Sequence, residues 1–298
     1  MSGPRSVVIQ SVLYETNASA LVRLAESVAN SARLAVGAGA VSEWAYRVGD
    51  CSATEVLGAR ERAAVTAICS KAGGSFEYEF YGENLGHGGA HNRLATFGTS
   101  DLLLFLNPDA LPAPDAITEL CRQLVDGVGA TDARQVPMEN AQDFEANTGG
   151  QSWASGACML TPRAVFTAVG GFDADTFFLY CDDVDYSWRV RLADFRVLHA
   201  PSACVAHDKR LDTTGVYRAG ETERYYAAEA AILLAYKYSQ PARVRSLVRR
   251  FRAEGAAPVV KAVEEYESRR AAGTLPTPLD RDHRVGRFVG DNYATHRY

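Results

Sequence analysis

The 298-residue sequence lacks the features by which membrane and secreted proteins are usually identified. It has no run of about 18 uncharged apolar residues, the length that a membrane-spanning helix needs. Its first ten residues, MSGPRSVVIQ, contain no signal-peptide core. The six cysteines show neither a C-x-x-C spacing nor a pairing rhythm, so we expect buried thiols in a reducing compartment. These absences favour a cytoplasmic protein.

An excess of positive charge is also missing. The formal net charge is −5, so nucleic acid is not an expected partner. Hydrophobic residues make up 47% of the chain and charged residues 22%, which is ordinary globular usage and excludes pervasive disorder. The length suits one large domain, or a domain with an appendage.

Several familiar catalytic signatures are absent as well. The sequence contains no P-loop, no H-E-x-x-H and no paired Cys/His zinc spacing. The segment Gly86–Gly88 begins like a dinucleotide-binding fingerprint, but His91 stands in the place of the third glycine. Residues 150–154 miss a nucleophile elbow by their last residue.

Short apolar runs alternate with amphipathic runs over the first two-thirds of the chain, a pattern that predicts an α/β fold with a parallel sheet. The predicted strands cover residues 6–12, 45–48, 76–80, 102–106 and 156–160, with two short strands within 195–206. The predicted helices cover a segment capped by Asn17 and residues 60–72, 162–169 and 183–194, with a short helix from Ala90 after the glycine-rich loop 82–89. Residues 128–151 lose the pattern and are predicted to form a loop.

The last third of the chain has a different character. Residues 221–238 and 243–272 are predicted to be helical, and about 20 residues at the end form a tail. We therefore divide the chain into a catalytic domain, 1–212, and a helical C-terminal extension with its tail, 213–298.

Acidic side chains follow the predicted strands at the edge where open α/β sheets bind ligands. Asp50 follows the second strand, and Asp109 follows five consecutive apolar residues, Leu102–Leu106. A carboxylate held there could bind a hard cation, or it could be a turn residue or helix N-cap. Asp182, Asp183 and Asp185 lie at a helix start, where mutual repulsion suits a general base; a plain acidic first turn is the alternative. The Asp-x-Asp triplets at 173 and 280 are predicted to shape a loop and to be solvated, respectively.

Eight of these segments occur in an order that resembles inverting family 2 glycosyltransferases of the GT-A fold, in particular bacterial rhamnosyltransferases and galactofuranosyltransferases. The resemblance covers about residues 6–210. The segments are Val7-Val8-Ile9, Asp50-Cys51-Ser52, Asn84-Leu85-Gly86 with Asn92, Leu104-Phe105-Leu106-Asn107-Pro108-Asp109, Gly170-Gly171-Phe172-Asp173, Phe178-Leu179-Tyr180-Cys181-Asp182-Asp183-Val184-Asp185, Arg189 and Ala206-His207.

The resemblance implies a Rossmann-like mixed, mainly parallel sheet flanked by helices, and a role for each matching residue. It implies that Asp183 is the catalytic base with Asp182 as its acidic partner, and that Asp109 and His207 bind Mn²⁺ or Mg²⁺. The implied donor-binding residues are Tyr14, Glu15, Asp50, Asn84, Gly86, Asn92, Asn107 and Asp109. The implied acceptor-binding residues are Trp153, Gly156, Asp182, Asp183 and Arg189.

One position departs from the strict family motif. Asn107 replaces the first acid of D-x-D, so the site carries one negative charge fewer, and we expect weaker metal binding that depends on the bound diphosphate. The rhamnosyltransferase-like subgroup implies a deoxyhexose donor such as dTDP-rhamnose, with UDP- and GDP-sugars as further candidates. The implied acceptor is a glycan, a lipid-linked sugar or a small molecule.

Two other functions stay open. A sugar-phosphate nucleotidyltransferase shares the general fold, but its first loop is usually rich in glycine and basic residues, and residues 12–16 contain neither glycine nor lysine. The chain could also be a non-catalytic nucleotide-sugar-binding partner of a larger assembly.

A basic segment in the last third suggests a further partner. Residues 237–252 contain six basic residues and no acid, interleaved with Val244, Leu247, Val248 and Phe251. A basic amphipathic helix can lie on an anionic membrane, here the inner face of the cell membrane. A solvated helix face or a homodimer contact is the alternative.

Overall fold

The computed structural model describes residues 5–137, 144–207 and 219–294. Its strands are β1 (Arg5–Leu13), β2 (Val41–Asp50), β3 (Ser75–Phe80), β4 (Leu102–Leu106), β5 (Ala110–Pro112), β6 (Val128–Val136), β7 (Cys158–Pro162) and β8 (Arg196–His207). Its helices are α1 (Ala18–Gly37), α2 (Ala59–Lys71), α3 (Gly86–Ala95), α4 (Ala116–Gln123), α5 (Arg163–Ala168), α6 (Asp182–Leu192), α7 (Glu221–Lys237), α8 (Pro241–Glu254) and α9 (Ala257–Ala272).

The strands form one sheet in the order β3-β2-β1-β4-β7-β6-β8-β5. The first four neighbours are parallel, and β6 and β8 are also parallel to each other. The strands β7 and β5 run antiparallel to their partners. The predicted α/β class with a mixed, mainly parallel sheet is confirmed. The carboxyl ends of β1, β2 and β4 therefore lie along one edge of the sheet.

The local signals in the first half explain its elements. Asn17 caps α1 through a hydrogen bond from the backbone N–H of Ser19 to its side chain, 2.8 Å long. The apolar stripe of α1 is buried against the sheet. Every residue of β4 is buried, as its uninterrupted apolar run predicts.

The helical extension does not have a core of its own. Residues of α7, α8 and α9 share one hydrophobic cluster with Val184 and Trp188 of α6. Part of the predicted tail joins the same cluster, since Val285 and Tyr293 are buried there. The position of α6 therefore depends on both halves of the chain.

Three predicted elements differ from the structure. Residues 128–136, predicted as loop, form β6, because burial of six consecutive residues on both faces removes the polar alternation. The helix predicted from Ala90 begins at Gly86. Residues 196–207 form one irregular strand instead of two. The segment 243–272 is helical as predicted, and Gly255 divides it into two helices by ending α8 in the left-handed conformation.

The apolar residues of the basic segment do not form the membrane-binding face that an amphipathic helix would need. Val244, Leu247 and Phe251 of α8 point into the protein core and are not available to enter a bilayer. Only the exposed arginines of this helix remain for an electrostatic contact. Within the described ranges, no helix combines the length and the apolar character needed to cross a membrane.

Candidate active site

The first cluster of candidate residues lies where β4 leads into β5. Because β5 pairs with β8, Ala110 lies opposite His207, and the preceding residue Asp109 reaches the same histidine. His207 Nε2 lies 3.2 Å from Asp109 Oδ1. The Asp109 side chain is 51% exposed and that of His207 only 3%. The two residues predicted to bind metal are thus neighbours, one open to solvent and one fixed in the sheet.

A second polar side chain fixes the orientation of His207. Gln135 of β6 accepts a hydrogen bond from His207 Nδ1 through its amide oxygen, 2.6 Å away. Since this oxygen can only accept, Nδ1 carries a proton, and Nε2 is the ring nitrogen that faces Asp109. The Gln135 amide nitrogen in turn donates to Ser155 Oγ at 2.9 Å. Sequence analysis missed Gln135, which lies in the strand taken for a loop.

The Asp109–His207 pair suits a divalent cation in its chemistry. A carboxylate oxygen and a neutral imidazole nitrogen are both ligands that Mn²⁺ accepts. No group of three His, Cys, Asp or Glu side chains in the described part of the chain is placed to hold a metal. Within residues 5–137, 144–207 and 219–294, Asp109 and His207 thus form a two-ligand pair, which is fewer ligands than a divalent cation takes.

The second cluster lies at the first turn of α6. Asp182 Oδ2 is 2.5 Å from His87 Nδ1 of α3. Asp183 accepts hydrogen bonds from the backbone N–H groups of Gly156 (2.9 Å) and Val184 (2.8 Å). These contacts hold the two predicted catalytic carboxylates in different directions, Asp182 toward α3 and Asp183 toward the 155–157 turn.

The chain enters this turn in an unusual conformation. Tyr180 and Cys181 both have positive φ, 66° and 58°, although neither is glycine. Such left-handed residues cost free energy and persist only where the surroundings fix them, often at functional sites. The strain lies immediately before Asp182 and Asp183.

The two clusters meet at residues 155–157. Ser155 bonds to Gln135 on the metal-pair side, and Gly156 bonds to Asp183 on the other. In addition, the N–H of Asn107 donates to the carbonyl of Ala157 at 3.0 Å. Asp109 and Asp183, 74 positions apart in the sequence, are therefore connected through one short turn. The sequence motifs predict both residues but not this link.

Burial and charge act on His87 in opposite directions. Burial alone lowers its pKa, but the charge and hydrogen bond of Asp182, together with the charge of Asp183, outweigh burial and raise the pKa above the ordinary value. A Cβ atom added to Gly156 would lie 3.2 Å from His87 Cε1 and 3.4 Å from Asp183 Cβ. Gly156 thus leaves room for both side chains. Sequence analysis noted His87 only as part of a failed glycine motif.

The predicted donor-binding residues after β1 and β2 form one connected loop region. Asp50 is fully buried and accepts hydrogen bonds from the N–H groups of Ser52 and Val56 and from the Tyr78 hydroxyl. Glu15 N–H donates to Ser52 Oγ at 2.8 Å. Asp50 therefore shapes the loop that follows it, and its direct contact with a nucleotide stays a prediction. Tyr14, in contrast, is 54% exposed.

The predicted diphosphate loop is shaped by local hydrogen bonds. Asn84 accepts from Gly86 N–H, and Gly86 has φ +70° with no space for a side chain beside the Phe178 carbonyl. Asn92 uses its whole amide group on Phe172, donating to its carbonyl and accepting from its N–H, both at 2.8 Å. Asn92 therefore fixes the turn before Asp173 in this structure.

Two predicted acceptor residues are engaged in contacts of their own, and their binding of an acceptor stays a prediction. Trp153 is 3% exposed and packs edge-on against Tyr293 in the shared core. Arg189 pairs with Asp185 at 2.8 Å and lines a separate cavity of about 360 Å³. Their sequence pattern could not distinguish a core residue from a surface residue.

Behind α6, a buried ion-pair network ties it to α7. Lys237 Nζ lies 2.6 Å from carboxylate oxygens of both Asp173 and Asp185, and Asp185 also pairs with Arg189. The Tyr238 hydroxyl donates to Asp185 as well. Lys237 is 4% exposed, so it does not belong to an accessible basic face, whether that face was expected at a membrane, in solvent or at a dimer contact.

Comparison with solved structures identifies the architecture. A mannosyltransferase from Pyrobaculum calidifontis, solved with GDP-Man and Mn²⁺, superimposes with a TM-score of 0.57 at 15% identity, covering 92% of this chain and 81% of that one. The chain has the GT-A glycosyltransferase fold. GalNAc-T7, solved with UDP, GalNAc and Mn²⁺, gives a TM-score of 0.58 at 13% identity over 92% of this chain and 60% of that one. These similarities confirm the predicted GT-A fold.

One segment is also similar in sequence to a curated protein. It is 43% identical over 61 residues to an N-acetylglucosaminyl-diphospho-decaprenol L-rhamnosyltransferase of Mycobacterium tuberculosis. The match spans 20% of this chain and 20% of that protein. No protein-family model matches the chain. The predicted rhamnosyltransferase-like character is thus supported over one segment of the GT-A fold.

Proposed function

We propose that the protein is an inverting glycosyltransferase that moves a sugar from a nucleoside diphosphate to an acceptor hydroxyl. The GT-A fold and the rhamnosyltransferase-like segment support the reaction class. The observation that carries the proposal is the 155–157 turn, which links the Asp109–His207 pair to Asp183 through Gln135, Ser155 and Gly156. Transfer needs two such groups, one for the leaving diphosphate and one for the attacking hydroxyl.

Asp109 and His207 are the residues that would hold a divalent cation. Bound Mn²⁺ or Mg²⁺ would neutralise negative charge on the leaving diphosphate. Asn107 adds no charge to this site, and the pair supplies two ligands, so we expect nucleotide to strengthen metal binding. Gln135 keeps His207 in the tautomer that can bind a cation.

Asp183 is the residue that would take the proton of the attacking hydroxyl. Two backbone N–H groups hold its carboxylate in one orientation, as a general base requires. A single displacement, with the base and the leaving group on opposite faces of the sugar, inverts the anomeric carbon. Asp182 is engaged by His87 and supports Asp183 in place of accepting the proton itself.

The finer assignment concerns the two substrates. The rhamnosyltransferase-like segment supports a dTDP-linked deoxysugar such as dTDP-rhamnose as donor and a lipid-linked sugar as acceptor. The solved neighbours hold GDP-mannose and UDP, so both nucleotides belong in the same screen.

A donor-hydrolysis assay tests this proposal without knowledge of the acceptor. Purified protein is incubated with dTDP-rhamnose, UDP-sugars and GDP-sugars, and the release of nucleoside diphosphate is followed with and without excess chelator. We expect slow hydrolysis of one donor class that stops with chelator and returns with Mn²⁺ or Mg²⁺. Full activity in chelator would remove the metal from the mechanism.

The same reactions separate the alternative functions. A nucleotidyltransferase would release pyrophosphate when given a sugar phosphate and a nucleoside triphosphate. A non-catalytic binding partner would be stabilised by a nucleotide without turnover. A nucleotide concentration of 100 times Kd adds about 2.7 kcal/mol to the free energy of unfolding. Either result would overturn the transferase assignment.

A further inference from the structure

We propose that His87 is a positioning residue for sugar transfer: it binds Asp182 and so fixes the first turn of α6 with Asp183 directed at the acceptor. This inference rests on the proposed function. His87 belongs to α3 and Asp182 to α6, and the 2.5 Å hydrogen bond between them connects the diphosphate loop to the base-bearing turn.

Two glycines allow this close approach. A Cβ on Gly88 would lie 2.8 Å from Phe172 Cβ and 3.4 Å from Asp182 Oδ2, so a side chain there would press α3 away from α6. A Cβ on Gly156 would lie 3.2 Å from His87 Cε1. The absence of side chains at Gly88 and Gly156 therefore leaves the space in which His87 contacts Asp182.

Aromatic rings hold the imidazole in place. The ring of His91 meets it edge-on at 4.6 Å between centroids, and Phe172 does so at 5.8 Å. His91 itself packs against Phe105 of β4. A ring fixed on these sides has little freedom to turn away from Asp182.

The charges around His87 favour its protonated form. The titratable groups that face it are Asp182 and Asp183 of α6 and His91 of α3. Burial and the charge of His87 lower the pKa of His91, which therefore stays neutral. The pKa of His87 is raised, so its charge offsets that of Asp182 and leaves Asp183 as the carboxylate that receives the proton.

The test compares two substitutions in the donor-hydrolysis assay. His87→Leu removes both the hydrogen bond and the charge, and we expect kcat to fall about 100-fold with KM for the donor within a few-fold, because a displaced base costs rate more than binding. His87→Gln keeps a donor group without the charge and should recover part of that loss. His283→Gln, a substitution of an exposed histidine in the tail, is the matched control.

The pH profile and a double variant separate positioning from a purely structural role. We expect wild-type kcat to fall on the alkaline side, with an apparent pKa above about 6.5, as His87 loses its proton. This limb should be absent in His87→Gln. In an Asp182→Asn background, His87→Leu should cost little more, since it acts through Asp182.

The possible outcomes are distinct. Suppose that the wild type is active and that the melting curve shows His87→Leu to be folded. If the variant then has the same kcat as wild type, the positioning role is wrong while the proposed function stands. If His87→Gln keeps the alkaline limb, or if the double variant loses the full product of both single effects, the role of His87 through Asp182 is also refuted. Absence of any transfer or hydrolysis in wild type refutes the proposed function itself.

Discussion

The two acidic clusters of this molecule hold their charges in opposite ways. Asp109, at the edge of the sheet, is half exposed and has its neighbour His207 on the protein side. The first turn of α6 is enclosed: Asp182 is held by α3, Asp183 by the 155–157 turn and Asp185 by α7. One cluster is open to exchangeable ligands, and the other is fixed by three separate parts of the chain.

This difference matches what the two halves of a transfer reaction require. A cation and a diphosphate must enter and leave in every cycle, so their protein ligands should be accessible. A general base must stay in one orientation, which buried hydrogen bonds and ion pairs provide before the substrate arrives. The helical extension thus has a role in the site, since it supports α6 from behind through Lys237.

The largest effect on the enclosed cluster is expected from Lys237→Met. The substitution leaves Asp173 and Asp185 without their shared cation, and breaking a buried pair in this way costs about 3 kcal/mol of unfolding free energy. Urea denaturation measures this loss. Lys71→Met, at an exposed position in α2, is the control and should change stability by less than about 0.5 kcal/mol.

The stability loss should depend on pH in a defined direction. Burial raises the pKa of Asp173. The hydrogen bonds from Lys237 and Thr176 and the charge of Lys237 lower it by more than burial raises it, so the net pKa lies below the ordinary value. A lowered pKa in the folded state gives stability above pH about 4, which is lost as the pH falls through the folded value. The gap between wild type and Lys237→Met should therefore shrink on acidification. A gap that widens would contradict the ion-pair account.

The open cluster should respond with a smaller, metal-specific effect. Gln135→Met removes the hydrogen bond that orients His207, and we expect the apparent affinity for Mn²⁺ in the presence of nucleotide to fall about 10- to 100-fold. Titration of hydrolysis with Mn²⁺ measures it. Gln123→Met, at the end of α4, should leave the titration unchanged, and an unchanged Gln135→Met would show that His207 needs no such support.

Much of the architecture followed from local sequence signals, since caps and apolar periodicity act over a few residues. The apolar run of β4, the Asn17 cap and the strand-end acid at Asp109 all lie where these signals predict them. The strand β6 was missed because Thr131 and Asp132 are buried in it, and a strand buried on both faces with polar residues has no alternating pattern.

Contacts between residues far apart in the sequence are the part of the site that the sequence could not predict. His87 meets Asp182 across 95 residues and Gln135 meets His207 across 72, and no local pattern marks either contact. Lys237 lies at the start of a segment rich in basic residues, so its sequence context indicated an accessible face, although it is buried between two carboxylates. Trp153 is the opposite case: it was predicted to contact the acceptor, and it is buried in the core.

The division of labour between the clusters is tested most directly by measuring turnover and nucleotide binding together in Asp183→Asn and Asp109→Asn. We expect Asp183→Asn to lose about 1,000-fold in turnover with nucleotide Kd within a few-fold of wild type. We expect Asp109→Asn to weaken nucleotide binding chiefly when Mn²⁺ or Mg²⁺ is present. Wild-type turnover in folded Asp183→Asn would contradict the assignment of Asp183 as the base and, with it, the separate roles of the two clusters.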